Sequence, residues 1–167
     1  MSTYIKIATV TVPLITGATS LSFTSIPNTY TDLCLKLSAR NSIDTLNQYI
    51  SLNSSTTNFS SKIVYGSGSA AGSSTQTDNW AFATEPSSYT ANTFGSQEFY
   101  FPNYAGSANK SFSSDLVTEN NATTVYMGLA AGLWSNTSAI TSITLTSAAT
   151  SFYVQYTSAT LYGIKKS

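Results

Sequence analysis

Histidine is absent from the 167 residues, and cysteine and arginine occur once each, as Cys34 and Arg40. Each absence removes a kind of chemistry. A Ser-His-Asp or Cys-His catalytic arrangement needs an imidazole. A zinc centre needs histidines or several thiolates, and a disulfide within the chain needs a second cysteine. Charge is scarce too. Seven Lys and Arg balance seven Asp and Glu, together 8% of the chain, against about 25% in an average soluble domain. With no net charge and one arginine, the main attraction to phosphate backbones is missing, so no nucleic-acid partner is expected. No stretch approaches the roughly 18 apolar residues of a membrane span. The opening Met1-Ser2-Thr3-Tyr4-Ile5-Lys6 has no basic region followed by an apolar run, so neither a signal peptide nor a membrane partner is expected.

Serine and threonine fill the space, 55 of the 167 residues. That abundance devalues the five Asn-x-Ser/Thr triplets, which begin at Asn53, Asn58, Asn109, Asn121 and Asn136, as glycosylation signals. Apolar residues recur with period 2 almost everywhere and nowhere hold a helical period over three turns. Leu33, Leu35, Leu37 and Ala39 alternate with Cys34, Lys36, Ser38 and Arg40. Tyr4 to Val12 changes parity, which a bulge near Ala8-Thr9 reconciles. In 123–134, Val125, Met127, Leu129, Ala131 and Leu133 oppose Tyr126, Gly128, Ala130, Gly132 and Trp134; the small residues predict a closely packed neighbour on their face. Residues 66–77, GSGSAAGSSTQT, have no apolar anchor and read as a flexible surface loop. Residues 85–95 read as a second long loop. The spacing of these segments predicts an all-β fold: one domain over 1–167, a jelly-roll-like antiparallel β-sandwich of about ten strands.

Candidate chemistry is thin. Asp115 and Glu119 share a strand face, but their Cα atoms are spaced about 13 Å apart at about 3.3 Å per residue. That exceeds the roughly 5–9.5 Å of paired glycosidase carboxyls. The Gly66, Gly68 and Gly72 cluster lacks the Gly-Lys-Ser/Thr ending of a phosphate loop. No calcium-loop motif of the Asp-x-Asp-x-Asp-Gly type occurs. Cys34, with no base near it in the chain, reads as structural. Trp80 and Trp134 read as core, with Trp134 also placed to serve a subunit interface or, less simply, a sugar-stacking platform. Lys165-Lys166 reads as a solvated tail. No cofactor, no metal and no catalytic residue is expected.

Three stretches carry a resemblance. They are Ile26-Pro27-Asn28-Thr29-Tyr30-Thr31-Asp32-Leu33; Phe94-Gly95-Ser96-Gln97-Glu98 through Phe101-Pro102-Asn103-Tyr104; and Ala131-Gly132-Leu133-Trp134-Ser135 with Ala159-Thr160-Leu161-Tyr162-Gly163-Ile164. Over about residues 3–164 the chain resembles small jelly-roll virion structural proteins of tailed bacteriophages, of the capsid decoration (cement) type, related to tail-fibre modules. The resemblance implies a non-enzymatic protein on the capsid exterior, made in the host cytoplasm, with itself as a homotrimer and the major capsid protein as partners. A tail-fibre or spike module that recognises host-surface glycan is the alternative. Candidate subunit or capsid contacts are Tyr4, Ile5, Ile7, Tyr104 and Trp134, and the first strand is the edge on which a neighbour would pair.

Overall fold

The computed structural model of the chain describes residues 3–13, 17–121, 125–148 and 150–165. Every regular element among them is a strand: β1 (Thr3–Thr11), β2 (Ser20–Phe23), β3 (Asp32–Ala39), β4 (Asn47–Leu52), β5 (Phe59–Gly66), β6 (Ala71–Gln76), β7 (Trp80–Ala83), β8 (Gly95–Pro102), β9 (Lys110–Glu119), β10 (Val125–Trp134), β11 (Ile143–Ser147) and β12 (Ser158–Lys165). They form two antiparallel sheets, eight strands in the order β1-β12-β3-β8-β9-β10-β5-β6 and four in the order β2-β11-β4-β7. The fold is an all-β sandwich, as the period-2 pattern requires.

The strand order has a simple origin. First and last strands pair, β1 with β12; moving inward along the chain, β2 pairs with β11, β3 with β8 and β4 with β7. Alternate pairs go to opposite sheets. This is one long two-stranded ribbon rolled up on itself. Two hairpin insertions complete it. β5 and β6 lie between β4 and β7 in the chain, β9 and β10 between β8 and β11, and together they extend the large sheet beyond β8.

The core follows from parity. Leu33, Leu35 and Leu37 from β3, Phe99 and Phe101 from β8 and Leu161 from β12 pack against Leu21, Phe23, Ile50, Leu52, Ile143 and Leu145 of the small sheet. Burying each such side chain stabilises the fold by about 1.5–3 kcal/mol. A smaller cluster of Ile63, Phe82, Leu116 and Ala130 fills the space under the inserted hairpins. Between the two, buried polar groups join the sheets. Tyr153 Oη donates to Gln48 Oε1 at 2.9 Å, Gln48 Nε2 to Gln97 Oε1, and Gln97 Nε2 to Ser114 Oγ at 2.8 Å and to the Ala81 carbonyl at 2.9 Å.

One sequence expectation changes. Residues 66–77 are not a loop: Gly66 ends β5, and β6 pairs along it from Ser61↔Gln76 to Gly66↔Ala71. An edge strand needs only backbone partners, so the lack of apolar anchors did not prevent it. The parity change expected near Ala8-Thr9 is present in β1, as a register shift between Lys6 and Ala8. β12 begins at Ser158, and upstream of it Tyr153 makes isolated bridges to Ala18 and Asn41.

The small face of β10 does turn inward. A Cβ on Gly132 would lie 2.1 Å from the Phe112 ring, and one on Gly128 would lie 2.8 Å from Ile63 Cδ1. Gly132→Ala should therefore overpack the core and cost about 1–3 kcal/mol in urea unfolding. An unchanged midpoint would show that Phe112 moves aside freely.

Candidate interaction surface

Parts of the stretches that carry the resemblance, around Tyr30–Asp32, Tyr100–Tyr104 and Gly163-Ile164, meet at one corner of the sandwich. The buried Asp32 carboxylate accepts from Tyr100 Oη at 2.7 Å and from the Asn103 backbone N–H at 2.9 Å. That hydrogen bond, with burial, pushes the Tyr100 phenol up to about 12. Tyr104 Oη donates to the Pro27 carbonyl and accepts the Tyr30 N–H at 3.4 Å. Thr31 N donates to the Ile164 carbonyl at 2.8 Å, and the Tyr30 ring covers Gly163 so closely that a Cβ there would meet it at 2.3 Å. These contacts build a structural corner.

The candidate contact residues divide accordingly. Tyr4 is 52% exposed, on the edge strand, with its ring 6.1 Å from that of Tyr162. Ile5 and Ile7 are half-buried beside it, Ile7 packed on the main core. Tyr104 and Trp134 are corrected: both are fully buried. Trp134 stacks on Phe59 at 6.1 Å, because the inward parity of β10 carries it into the core. Neither offers a contact, and the Trp134 sugar platform goes with it.

Register creates the surface that sequence reading missed. One row crosses all eight strands of the large sheet on its outer face: Thr9, Thr160, Lys36, Glu98, Asp115, Leu129, Val64 and Ser73. Lys36 Nζ lies 2.9 Å from Glu98 Oε2, which offsets the like charge of Asp115 directly opposite Glu98. In the next row Val117 pairs with Met127. Val64, Met127 and Leu129 are each 59% exposed and Val117 44%. These four make one apolar patch bordered by charge, in a depression of about 900 Å³ that also takes in Lys36, Asp115 and Tyr162. Glu98 and Asp115 are thus the carboxylates that adjoin, not Asp115 and Glu119. Both stand on the open outer face of the sheet.

Arg40, the one arginine, is buried and clamps the loop between β7 and β8. Its Nη1 donates to the carbonyls of Thr90 (2.8 Å) and Thr93 (3.1 Å), and its Nη2 to those of Ser87 and Tyr89 (both 3.0 Å). Lys110, also buried, donates to the carbonyls of Gly106 (2.6 Å), Thr137 (3.2 Å) and Ala108. Both charges act as backbone clamps. No group of three or more His, Cys, Asp or Glu among the described residues is arranged to hold a metal ion. No protein-family model, curated protein or solved structure matches the chain.

Two predictions follow from these placements. Arg40→Lys keeps the charge but cannot present a planar fork to four carbonyls. It should cost about 2–4 kcal/mol and speed amide exchange in 87–93; unchanged exchange there would remove the clamp. Burial, then the Glu98 carboxylate, pushes the Cys34 thiol up to about 12. A disulfide reagent at pH 8 should leave Cys34 untouched in the folded protein and modify it fully in denaturant, and rapid labelling of the native chain would contradict this.

Proposed function

We propose that this chain is a decoration (cement) protein on the exterior of a tailed-bacteriophage capsid, made in the host cytoplasm, that works without catalysis. The observation that carries the reading is the charge-bordered apolar patch of Val64, Val117, Met127 and Leu129 on the outer face of the large sheet. Contiguous apolar surface rimmed by polar groups is characteristic of a docking face. Two further features support it. The nested pairing of β1 to β12 inward is compatible with a jelly roll, the fold that the resemblance implies. β1 is an outermost strand of its sheet, a template on which a neighbouring subunit adds. In this reading the large-sheet face meets the major capsid protein and the β1 edge, with Tyr4, Ile5 and Ile7, joins subunits into a homotrimer. Many weak copies on one shell add through avidity. The alternative, a fibre or spike module that recognises host-surface glycan through exposed Trp or Tyr, loses Trp134 as a platform because that indole is buried.

The test is the light-scattering mass of the purified chain, followed by co-sedimentation with heads stripped of decoration. A trimer that pellets with heads is expected. Met127→Asp/Leu129→Asp, at exposed positions, should keep the fold and weaken head binding at least about tenfold. Tyr4→Asp should weaken the trimer. A wild-type chain that ignores heads and binds host cells would overturn the reading. Full head binding by the double variant would remove the patch from it.

A further inference from the structure

The apolar patch of the large sheet belongs to a longer arrangement. On the outer face of β10, Val125, Met127 and Leu129 follow one another at alternate positions. Register sets each beside a residue of β9: Val125 beside Glu119, Met127 beside Val117 and Leu129 beside Asp115. An aliphatic rail thus runs next to one that alternates acid, valine, acid. Asp115, Val117 and Glu119 are all exposed. The depression of about 900 Å³ over Asp115 continues, through Ser96 and Val117, into a hollow of about 510 Å³ at Glu119. The resulting trough is acidic. Lys36 is committed to Glu98 at 2.9 Å, the one ion pair among the described residues. Asp115 and Glu119 therefore keep their charge. Lys62 lies two strands from Asp115 and one row away, about 10 Å across the sheet, and Glu119 accepts the neutral Asn121 N–H at 2.7 Å.

We propose that this trough receives an extended segment of a partner polypeptide in which two basic side chains, four residues apart, flank an aliphatic one. Charge selects the occupant. A second copy of this face would set carboxylate against carboxylate, whereas lysine or arginine side chains complement both acids. Spacing selects the conformation. Asp115 and Glu119 are spaced about 13 Å apart at about 3.3 Å per residue, and a partner strand presents its own residues i, i+2 and i+4 at the same intervals. On a helix, side chains four apart lie only about 5–6 Å from one another. The aliphatic side chain between the two bases covers Val117 and Met127. Its burial supplies the attraction, and the two charge pairs fix the register. The partner's identity rests on the decoration reading, in which the segment belongs to the major capsid protein.

The test needs no capsid. A short fluorescent peptide carries two arginines four residues apart, a leucine midway and serines between. It is titrated into the full chain by fluorescence anisotropy, beside a peptide of the same composition with its arginines adjacent. Saturable binding of the alternating peptide is expected, at least about threefold tighter than that of the rearranged one. It should weaken as salt rises, because the charges are exposed. Asp115→Asn/Glu119→Gln should weaken it at least about threefold and flatten the salt dependence, and Asp115→Lys/Glu119→Lys should abolish it. Asp78→Asn, beside β7, should bind as wild type. Should the lysine variant not fold, the neutral pair decides. No saturable binding, equal affinity for the two peptides, or wild-type affinity in the neutral pair would overturn the proposal. Co-sedimentation with stripped heads separates it from the decoration reading. A chain that binds heads but neither peptide keeps that reading and refutes the segment; one that prefers the alternating peptide but ignores heads does the reverse.

Discussion

A sheet of eight strands faces a sheet of four, and most of what is particular to this molecule answers that mismatch. An antiparallel sheet is stable when one face is withdrawn from water. The small sheet does this for β1, β12, β3 and β8. The inserted strands β9, β10 and β5 need another cover. Part of it comes from their own aromatics, as Phe59, Phe112 and Trp134 join the main core. The rest comes from β7, the edge of the small sheet, whose Phe82 adopts a φ of 70° and reaches Ile63, Leu116 and Ala130. A bulky residue seldom occupies that region. Here the burial of a whole phenyl ring offsets the strain. The glycines of β10 belong to the same solution, since only a strand without Cβ atoms lets Phe112 and Ile63 lie flat against it.

The polar bridge sits where the two apolar clusters part. On the inner face of β9, Ser114 stands between Phe112 of the main core and Leu116 of the smaller one. Gln97 and Gln48 link it across to Tyr153 and the Ala81 carbonyl. Apolar packing is indifferent to small slips, but an amide pair is not. A sheet slipped by one residue would turn Gln97 outward and take from Gln48 Nε2 and Ser114 Oγ their bonds to it, each at a cost of about 1–3 kcal/mol. The bridge therefore fixes how the two sheets sit on one another, which the leucines alone leave open.

The fold class was legible because alternation is a local property, and Leu33, Leu35 and Leu37 announce their strand unaided. β6 was not legible, because a strand held at an edge by its backbone needs nothing distinctive in its side chains; Ser73, Ser74 and Thr75 would suit a loop equally well. The surface was misjudged for a related reason. In β10 the bulkier apolar parity, Met127 and Leu129, faces solvent, and the glycine parity faces the core. Hydrophobicity by itself points the wrong way there. The early inference that small residues mark close packing was the better guide. Lys36, Glu98 and Asp115 become neighbours through register alone, over a chain separation that no spacing rule spans. Arg40 alternates as though solvated, and only the loop it holds reveals that it is buried.

Scarcity of charge gives the outer face its character. Of the fourteen charged residues, Asp32, Arg40, Glu85 and Lys110 are buried, so at most ten remain to hydrate the surface. Lys36 and Glu98 neutralise each other. What surrounds the apolar patch is mainly hydroxyl: Ser38, Ser96 and Ser158 in one row, Thr160 and Thr9 in the next. A hydroxyl loses less on leaving water than an ion does, and a partner's backbone can replace its hydrogen bonds. Such a face is therefore inexpensive to cover. For a partner of the kind proposed, the few charges on it would fix where it sits rather than how tightly it holds. Weak individual contact suits a surface met by many identical partners, where orientation must be uniform and strength accumulates with number.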